Sequence, residues 1–260
     1  MAKLARSRTA HCRRYPTAAM PMQAVILAGG LGTRLRPLTE KIPKVMVKVR
    51  GTEFLWHLIR WLARNDIKDM VICAAHLWEV IARKVNLCVP QGVRLRLSVE
   101  KEPLGTAGAV RNAEALLDEE FLLINGDTYL PISYERILSH WEGIRERFDC
   151  LLVVYSNRDK IAPNDTAVND ERVVVGYSKK RCEEMQYVNA GLAVMKKSVF
   201  EGVRGGVPVS LEEEVFPELV SRRKIAAFVI HERYYDIGTP ERLKVFEEYL
   251  EGHPEALSEG

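Results

Sequence analysis

From Gln23 onward, short apolar runs alternate with longer amphipathic stretches, and this alternation constrains the fold more than any other feature. Gln23–Ala28 reads as a strand stopped by Gly29-Gly30. Phe54, Leu55, Leu58, Ile59 and Leu62 recur at helical spacing, which predicts a helix over Phe54–Asn65. Val45–Val49, Met70–Ala74, Val93–Glu100, Phe121–Ile124 and Leu151–Tyr155 read as further strands. Leu77–Val85, Thr106–Leu116 and Tyr134–Glu146 read as helices, with Thr106 a candidate N-cap. Strand and helix alternating this far predict a Rossmann-like, three-layer α/β domain with a mostly parallel sheet. Beyond it, Thr166–Val168 and Val173–Ser178 flank Asn169-Asp170-Glu171 as a hairpin. Tyr187–Met195 and Ala226–Ile230 add strands, and Pro240–Leu250 is a closing helix with Pro at its first position. The expected organisation is a basic extension at 1–21, one body at 22–252 with a small β-rich annex, and a tail at 253–260.

Composition narrows the function. At 47% hydrophobic and 28% charged residues, the 260-residue chain can bury a full core, which excludes disorder for most of it. It has no run of about 18 apolar residues, so no helix is expected to insert in a membrane. The net charge of +3 originates in residues 1–21, where Lys3, Arg6, Arg8, Arg13 and Arg14 meet no acid. Without those five, the 38 Lys and Arg fall to 33 against 35 Asp and Glu. The body is therefore mildly acidic, and its charge calls for no nucleic-acid partner. Cys12, Cys73, Cys88, Cys150 and Cys182 form no CxxC pair or Cys/His cluster, which argues against structural zinc and a disulfide framework. Cys73 and Cys150 lie in apolar runs and read as buried thiols of a reducing, cytoplasmic setting. The extension lacks the apolar core of a secretory signal. It reads as a disordered segment, as residues preceding a true start at Met20 or Met22, or as an Arg-rich transit peptide.

Leu27-Ala28-Gly29-Gly30-Leu31-Gly32-Thr33-Arg34 is the most informative segment. Its three glycines let the backbone turn tightly, and successive N–H groups in such a turn form an anion nest at the end of a first strand. The spacing is neither a Walker loop nor the GxGxxG dinucleotide fingerprint. Arg34, Arg36 and Lys44 follow, and cations beside the nest suit a triphosphate better than a plain strand–helix turn with surface arginines.

With Ile42-Pro43-Lys44 behind it, LAGGLGTRLRPLT over Leu27–Thr39 resembles the signature of the sugar-1-phosphate nucleotidyltransferase family. The resemblance continues in order through Glu102–Gly108 (EPLGTAG), Asn125–Thr128 (NGDT), Val188–Gly191 (VNAG), Ser210–Glu213 (SLEE) and Asp236–Pro240 (DIGTP). EPLGTAG, NGDT and SLEE look most like guanylyltransferases acting on heptose or mannose 1-phosphate. Two departures stand out. Glu53 precedes Phe54 where the family usually has proline, and the family's Glu-Lys pair appears as Lys179-Lys180. Lys180 matches the family lysine, with Lys179 the alternative.

The resemblance implies transfer of a nucleoside monophosphate from an NTP to a sugar 1-phosphate, with release of pyrophosphate, in nucleotide-sugar biosynthesis for cell-envelope polysaccharide. The nucleophile would be a phosphate oxygen, already ionised near neutral pH because the second pKa of a phosphate monoester is about 6. No Ser, Cys or His base is required, and catalysis reduces to alignment and charge neutralisation. The family match gives Arg34 the departing phosphates, Lys44 the α-phosphate and Lys180 the sugar phosphate. It assigns Mg²⁺ to Asp127 and Asp236, which on their own residues also fit turn or capping positions. Leu27, Ala28, Gly29, Gly30, Gly32 and Thr33 would cradle the nucleotide, with Pro103, Gly105 and Thr106 in the base-binding stretch. Glu100 and Glu102 beside that stretch fit the paired N1–H and N2–H₂ donors of guanine, or read as solvated charges at a strand end. Gly126, Asn189 and Gly191 would meet the sugar, although Gly191 also fits a strand bulge. Alternatives are UTP- or dTTP-dependent transfer to a hexose 1-phosphate, cytidylyl transfer to phosphocholine, and a silent nucleotide-binding regulatory homologue. The last is disfavoured because Arg34, Lys44, Asp127 and Asp236 are all present. Homo-oligomerisation stays open.

Overall fold

A computed structural model describes residues 22–85, 89–178, 180 and 183–256. The basic extension, Cys12, Cys88, Lys179, Cys182 and the last four residues of the tail lie outside the described residues.

In chain order the elements are β1 (Gln23–Leu27), β2 (Lys48–Val49), β3 (Thr52–Glu53), α1 (Phe54–Arg64), β4 (Asp69–Ala74) and α2 (Trp78–Val85). There follow β5 (Arg94–Val99), α3 (Gly105–Asn112), β6 (Glu120–Asn125), β7 (Thr128–Tyr129), α4 (Glu135–Ile144), β8 (Cys150–Tyr155), β9 (Thr166–Val168) and β10 (Val174–Tyr177). The chain closes with β11 (Val188–Lys196), α5 (Phe216–Ser221), β12 (Ile225–Ile230), β13 (Tyr235–Asp236) and α6 (Pro240–Gly252). Seven strands form the central sheet in the order β12-β8-β11-β6-β1-β4-β5, and β11 runs antiparallel to both of its neighbours. The other pairings are parallel. The mostly parallel mixed sheet is therefore as expected.

Both faces of the sheet are covered, which is why its strands are nearly continuous in apolar residues. Ala24, Ile26, Ile72 and Ile124 face a layer with Phe54, Leu58, Trp141 and Phe246 of α1, α4 and α6. Val25, Val71, Phe121 and Leu123 face the opposite layer, with Val110 of α3 and Phe216 and Leu219 of α5. Cys73 and Cys150 are fully buried free thiols, as their apolar context predicts.

Two local expectations need correction. Val45–Val49 is not one strand. A 3-10 turn over Lys44–Met46 follows Pro43, and only Lys48–Val49 is extended, pairing in a short hairpin with Thr52–Glu53. Thr106 is not a cap. The helix starts at Gly105 and ends at Asn112, with a separate 3-10 turn at Glu114–Leu116. The Thr106 hydroxyl is spent elsewhere, accepting from Leu211 N at 2.8 Å and donating to Glu212 Oε2 at 2.7 Å. The small β-rich annex is as expected: β11 and β12 join the central sheet, leaving the β9/β10 hairpin, the two-residue β7/β13 ladder and the β2/β3 hairpin outside it.

Candidate active site

Strand β1 is flanked by parallel β4 and parallel β6, and chain connections leave it in opposite directions along the sheet. Open α/β sheets bind ligands at such a switch point, beyond the carboxyl ends of the strands. Leu27, the last residue of β1, is in register with Asn125, the last residue of β6. The glycine-rich turn and the Asn125-Gly126-Asp127 turn consequently leave the sheet side by side. Gly126 ties them, donating its N–H to Leu27 O at 2.9 Å, and a Cβ there would lie 2.6 Å from the same oxygen. Gly32 adopts a left-handed conformation (φ 62°), and its carbonyl accepts from Thr39 Oγ1 at 2.7 Å, folding the turn back on itself.

A cleft of about 500 Å³ opens at this point. Its wall includes Leu27, Ala28, Gly29, Gly30, Gly32, Thr33, Arg34, Lys44, Glu100, Pro103, Gly105, Thr106 and Asp127, so most residues expected at a nucleotide meet here. Leu31, Val45, Ala109, Asn125, Glu212 and Gly238 complete it. Glu212 belongs to the SLEE stretch, but no local pattern says that it faces α3. It is drawn there by Thr106 and by Ser210 Oγ, which donates to Glu212 Oε2 at 3.2 Å. A second cleft, about 450 Å³ between the 198–204 segment and α5, contains none of the expected site residues.

Glu100 is buried at 5% exposure. Its Oε2 accepts the Leu104 N–H at 2.9 Å, whereas Oε1 is buried without a protein partner. A Cβ on Gly29 would lie 3.2 Å from that oxygen. Burial pushes the carboxyl above its ordinary range, against the opposing effect of the Leu104 N–H. Glu102, two residues on, is exposed and does not line the cleft.

The charged end of the cleft is built around Gly238. Lys44 Nζ is ion-paired with Asp127 Oδ2. A Cβ on Gly238 would lie 2.7 Å from Asp236 Oδ1, 3.3 Å from Arg34 Nη2 and 3.7 Å from Lys44 Nζ. The β7/β13 ladder brings the two aspartates together, because Asp236 is in register with Thr128 and Ile237 N donates to Asp127 O at 3.1 Å. Among the described residues no group of three or more His, Cys, Asp or Glu side chains forms a metal cage. Asp127 lines the cleft, whereas Asp236 sits behind Gly238 and lines a separate cavity of about 100 Å³ with Arg242. One or two carboxylates with phosphates and waters are the donor type a hard cation such as Mg²⁺ takes.

The expected sugar residues sit outside this wall. Gly191 has φ 73° within a bulge of β11, where register shifts between Asn189 and Ala193, and a Cβ would lie 2.8 Å from Thr128 Oγ1. Asn189 braces that bulge through Oδ1, which accepts from Gly191 N at 2.9 Å, and its Nδ2 donates to the Tyr177 hydroxyl at 3.3 Å. Lys180 is exposed on the connection from β10 to β11.

A glycine-rich turn at a sheet switch point, sharing a cleft with Arg34, Lys44 and Asp127, with Asp236 behind Gly238, defines a nucleotide-binding α/β protein. The sequence profile of the nucleotidyl transferase family matches residues 23–251, and the chain belongs to that family. It is 29% identical over 220 residues to the D-glycero-alpha-D-manno-heptose 1-phosphate guanylyltransferase of Campylobacter jejuni, covering 85% of this chain and 96% of that protein. It is 31% identical over 224 residues to a mannose-1-phosphate guanylyltransferase of Mycobacterium tuberculosis, covering 85% of this chain but spanning only 62% of the relative's length. The structure of HddC from Yersinia pseudotuberculosis complexed with GMP-PN superposes with a TM-score of 0.75 at 26% identity, covering 88% of this chain and 99% of that one. No described helix is long and apolar enough to cross a membrane.

Proposed function

We propose that this protein transfers GMP from GTP to a heptose- or mannose-type sugar 1-phosphate, forming a GDP-sugar and releasing pyrophosphate, with residues 22–252 as the working unit. The observation that carries the guanine assignment is Glu100, a cleft-lining carboxylate whose Oε1 is buried behind Gly29 without a protein partner and would reach a base only by turning into the cleft. A buried acceptor without a donor costs about 1–3 kcal/mol, and the adjacent N1–H and N2–H₂ of guanine would satisfy it. Uracil and thymine offer one N–H between two carbonyls, which a carboxylate repels. Named relatives that are guanylyltransferases, and a similar fold holding a guanine nucleotide analogue, support the same base.

A phosphate oxygen of the sugar 1-phosphate attacks the α-phosphorus of GTP, and the bond from that phosphorus to the bridging oxygen breaks as pyrophosphate leaves. The N–H groups of the glycine-rich turn and the guanidinium of Arg34 hold the departing phosphates. Lys44 contacts the α-phosphate and neutralises the charge that develops there. Lys180 takes the sugar phosphate, and Asn189 and Gly191 shape the surface on which the sugar ring rests. Asp127 and Asp236 would hold Mg²⁺, which supplies charge neutralisation at the phosphates when bound. Every group in this scheme aligns or neutralises, as phosphoryl transfer with an ionised nucleophile requires.

The test is pyrophosphate release from GTP, ATP, CTP, UTP and dTTP against a panel of sugar 1-phosphates. GTP with a heptose or mannose 1-phosphate is expected to give the highest kcat/KM. Preference for UTP or dTTP would overturn the base assignment, and no release with any pair would overturn the activity.

A further inference from the structure

Asp236 is gripped differently on its two oxygens. Oδ1 accepts the N–H of Gly238 at 2.8 Å, on the side of a residue that lines the nucleotide cleft. Oδ2 accepts from Arg242 Nη1 at 2.8 Å, beside a separate cavity of about 100 Å³ that both side chains line. The arginine is itself anchored, with Nη2 reaching Ile161 O at 3.5 Å and its backbone N–H donating to the capping Thr239 Oγ1 at 3.4 Å. That places Arg242 in the first turn of α6, where the helix dipole disfavours a cation. Its position does not serve the helix. The group it does serve is Asp236.

We propose that Arg242 is a positioning residue that presents Asp236 to the divalent cation through Oδ1 alone, and thereby sets the preference for a small cation. This rests on the reading that Asp127 and Asp236 hold the metal. Mg²⁺ demands near-octahedral geometry, whereas Ca²⁺ accepts bidentate carboxylates in looser shells. With Oδ2 committed to the guanidinium, a bidentate grip by Asp236 is closed off. Without Arg242 the carboxylate can turn and offer both oxygens, so the larger ion gains relative to the smaller.

The experiment is calorimetric titration of GTP into the protein in saturating MgCl₂, in CaCl₂ and without divalent ions, with no sugar phosphate present and therefore no turnover. Wild-type protein is expected to bind GTP more tightly with Mg²⁺ than with Ca²⁺. Arg242→Gln should weaken the Mg²⁺-supported affinity by about tenfold, as loss of a group orienting a metal ligand does, while the Ca²⁺-supported affinity falls much less. Arg242→Lys keeps a donor for Oδ2 and should restore most of the Mg²⁺ preference. Equal effects on both ions, no effect on either, or a Lys variant no different from Gln would overturn the positioning role. Asp236→Asn in the same titration separates the two readings. If it keeps the wild-type response to Mg²⁺, the metal assignment itself falls; if it loses that response while Arg242→Gln keeps the wild-type ratio, only the role of Arg242 falls.

Discussion

Lys44 and Asp127 are ion-paired across the floor of the cleft, although 83 positions separate them in the chain. The lysine stands in the 3-10 turn after Pro43, and the aspartate in the turn leaving β6. Under the proposed function, nucleotide and metal would have to divide this pair, the ammonium turning to phosphate and the carboxylate to the cation.

Lys44→Met should therefore damage chemistry far more than stability. Removing one preorganised donor from a transition state costs about a hundredfold or more in kcat. The pair is partly solvated, with Asp127 30% exposed, so the loss of folding stability should be about 1 kcal/mol or less. Steady-state pyrophosphate release and a thermal melt of the same variant check both halves. A melt that collapses while the residual folded enzyme turns over normally would move Lys44 from chemistry to scaffold.

Glu100→Gln is expected to shrink the GTP-over-UTP preference in kcat/KM by about tenfold or more, because the amide puts a donor where guanine brings its own. A second readout tests the burial behind that assignment. Burial raises the Glu100 carboxyl above its ordinary value of 4.5, so the folded protein holds the proton more tightly than the unfolded chain. The destabilisation is absent below about pH 4.5 and grows as pH rises through the folded-state value. The Gln variant should consequently melt higher than wild type near neutral pH, and the gap should close on acidification. A gap independent of pH would show that the carboxyl is not ionised at a cost in the free protein.

Gly191→Ala addresses the bulge. At φ 73° with Thr128 Oγ1 2.8 Å and Asn125 Nδ2 3.0 Å from the added Cβ, the substitution strains the backbone and presses on the two residues that flank Gly126 and Asp127. Strain of this kind costs about 1–3 kcal/mol, to be seen as a lower melting temperature. If the bulge also shapes the sugar surface, KM for the sugar 1-phosphate should rise while KM for GTP holds. Equal movement of both would confine Gly191 to a structural role.

How far these features could be read from the residues depended on how local their causes are. The glycine-rich turn was legible because a tight nest needs glycine at fixed offsets, and the core strands because both faces of a covered sheet demand apolar residues. Thr106 looked like a cap because caps are judged from neighbours within a turn. Its hydroxyl is taken by Glu212, 106 positions away. The β7/β13 ladder has two residues per strand, too few for any alternation to register, yet it is what sets Asp236 beside Asp127. Glu212 and Gly238 fell inside the SLEE and DIGTP stretches without a role, and Arg242 lay outside every motif, because each acts through a residue that only the tertiary fold delivers. Glu100 and Glu102 were indistinguishable in sequence, and burial separates them.

Removing residues 1–21 should leave both the melting temperature and kcat/KM unchanged. The family match begins at residue 23, and Met22 already packs against the core at the start of β1. A fall in either quantity would show that the basic segment contributes to the body or to assembly.

The pair of carboxylates gives the most discriminating case. Asp127→Asn and Asp236→Asn keep shape and lose charge, and neither side chain is part of the apolar core, so both variants should fold. If the two hold one cation, each single variant should lose about a hundredfold or more in kcat, since metal neutralisation supplies several kcal/mol at the transition state. The double variant should be little worse than the singles, because groups that act as one unit are not additive. Excess Mg²⁺ should rescue a single variant partly, through the remaining aspartate and the phosphates, and should not rescue the double. The two singles should differ in one respect. Asp127→Asn also frees Lys44, whereas Asp236→Asn leaves the Lys44 pair intact and frees Arg242. Affinity for GTP without metal should therefore rise in the first variant, where an uncommitted ammonium meets the phosphates, and stay level in the second. Strictly multiplicative losses in the double variant, or wild-type turnover of either single at limiting Mg²⁺, would return both aspartates to turn positions.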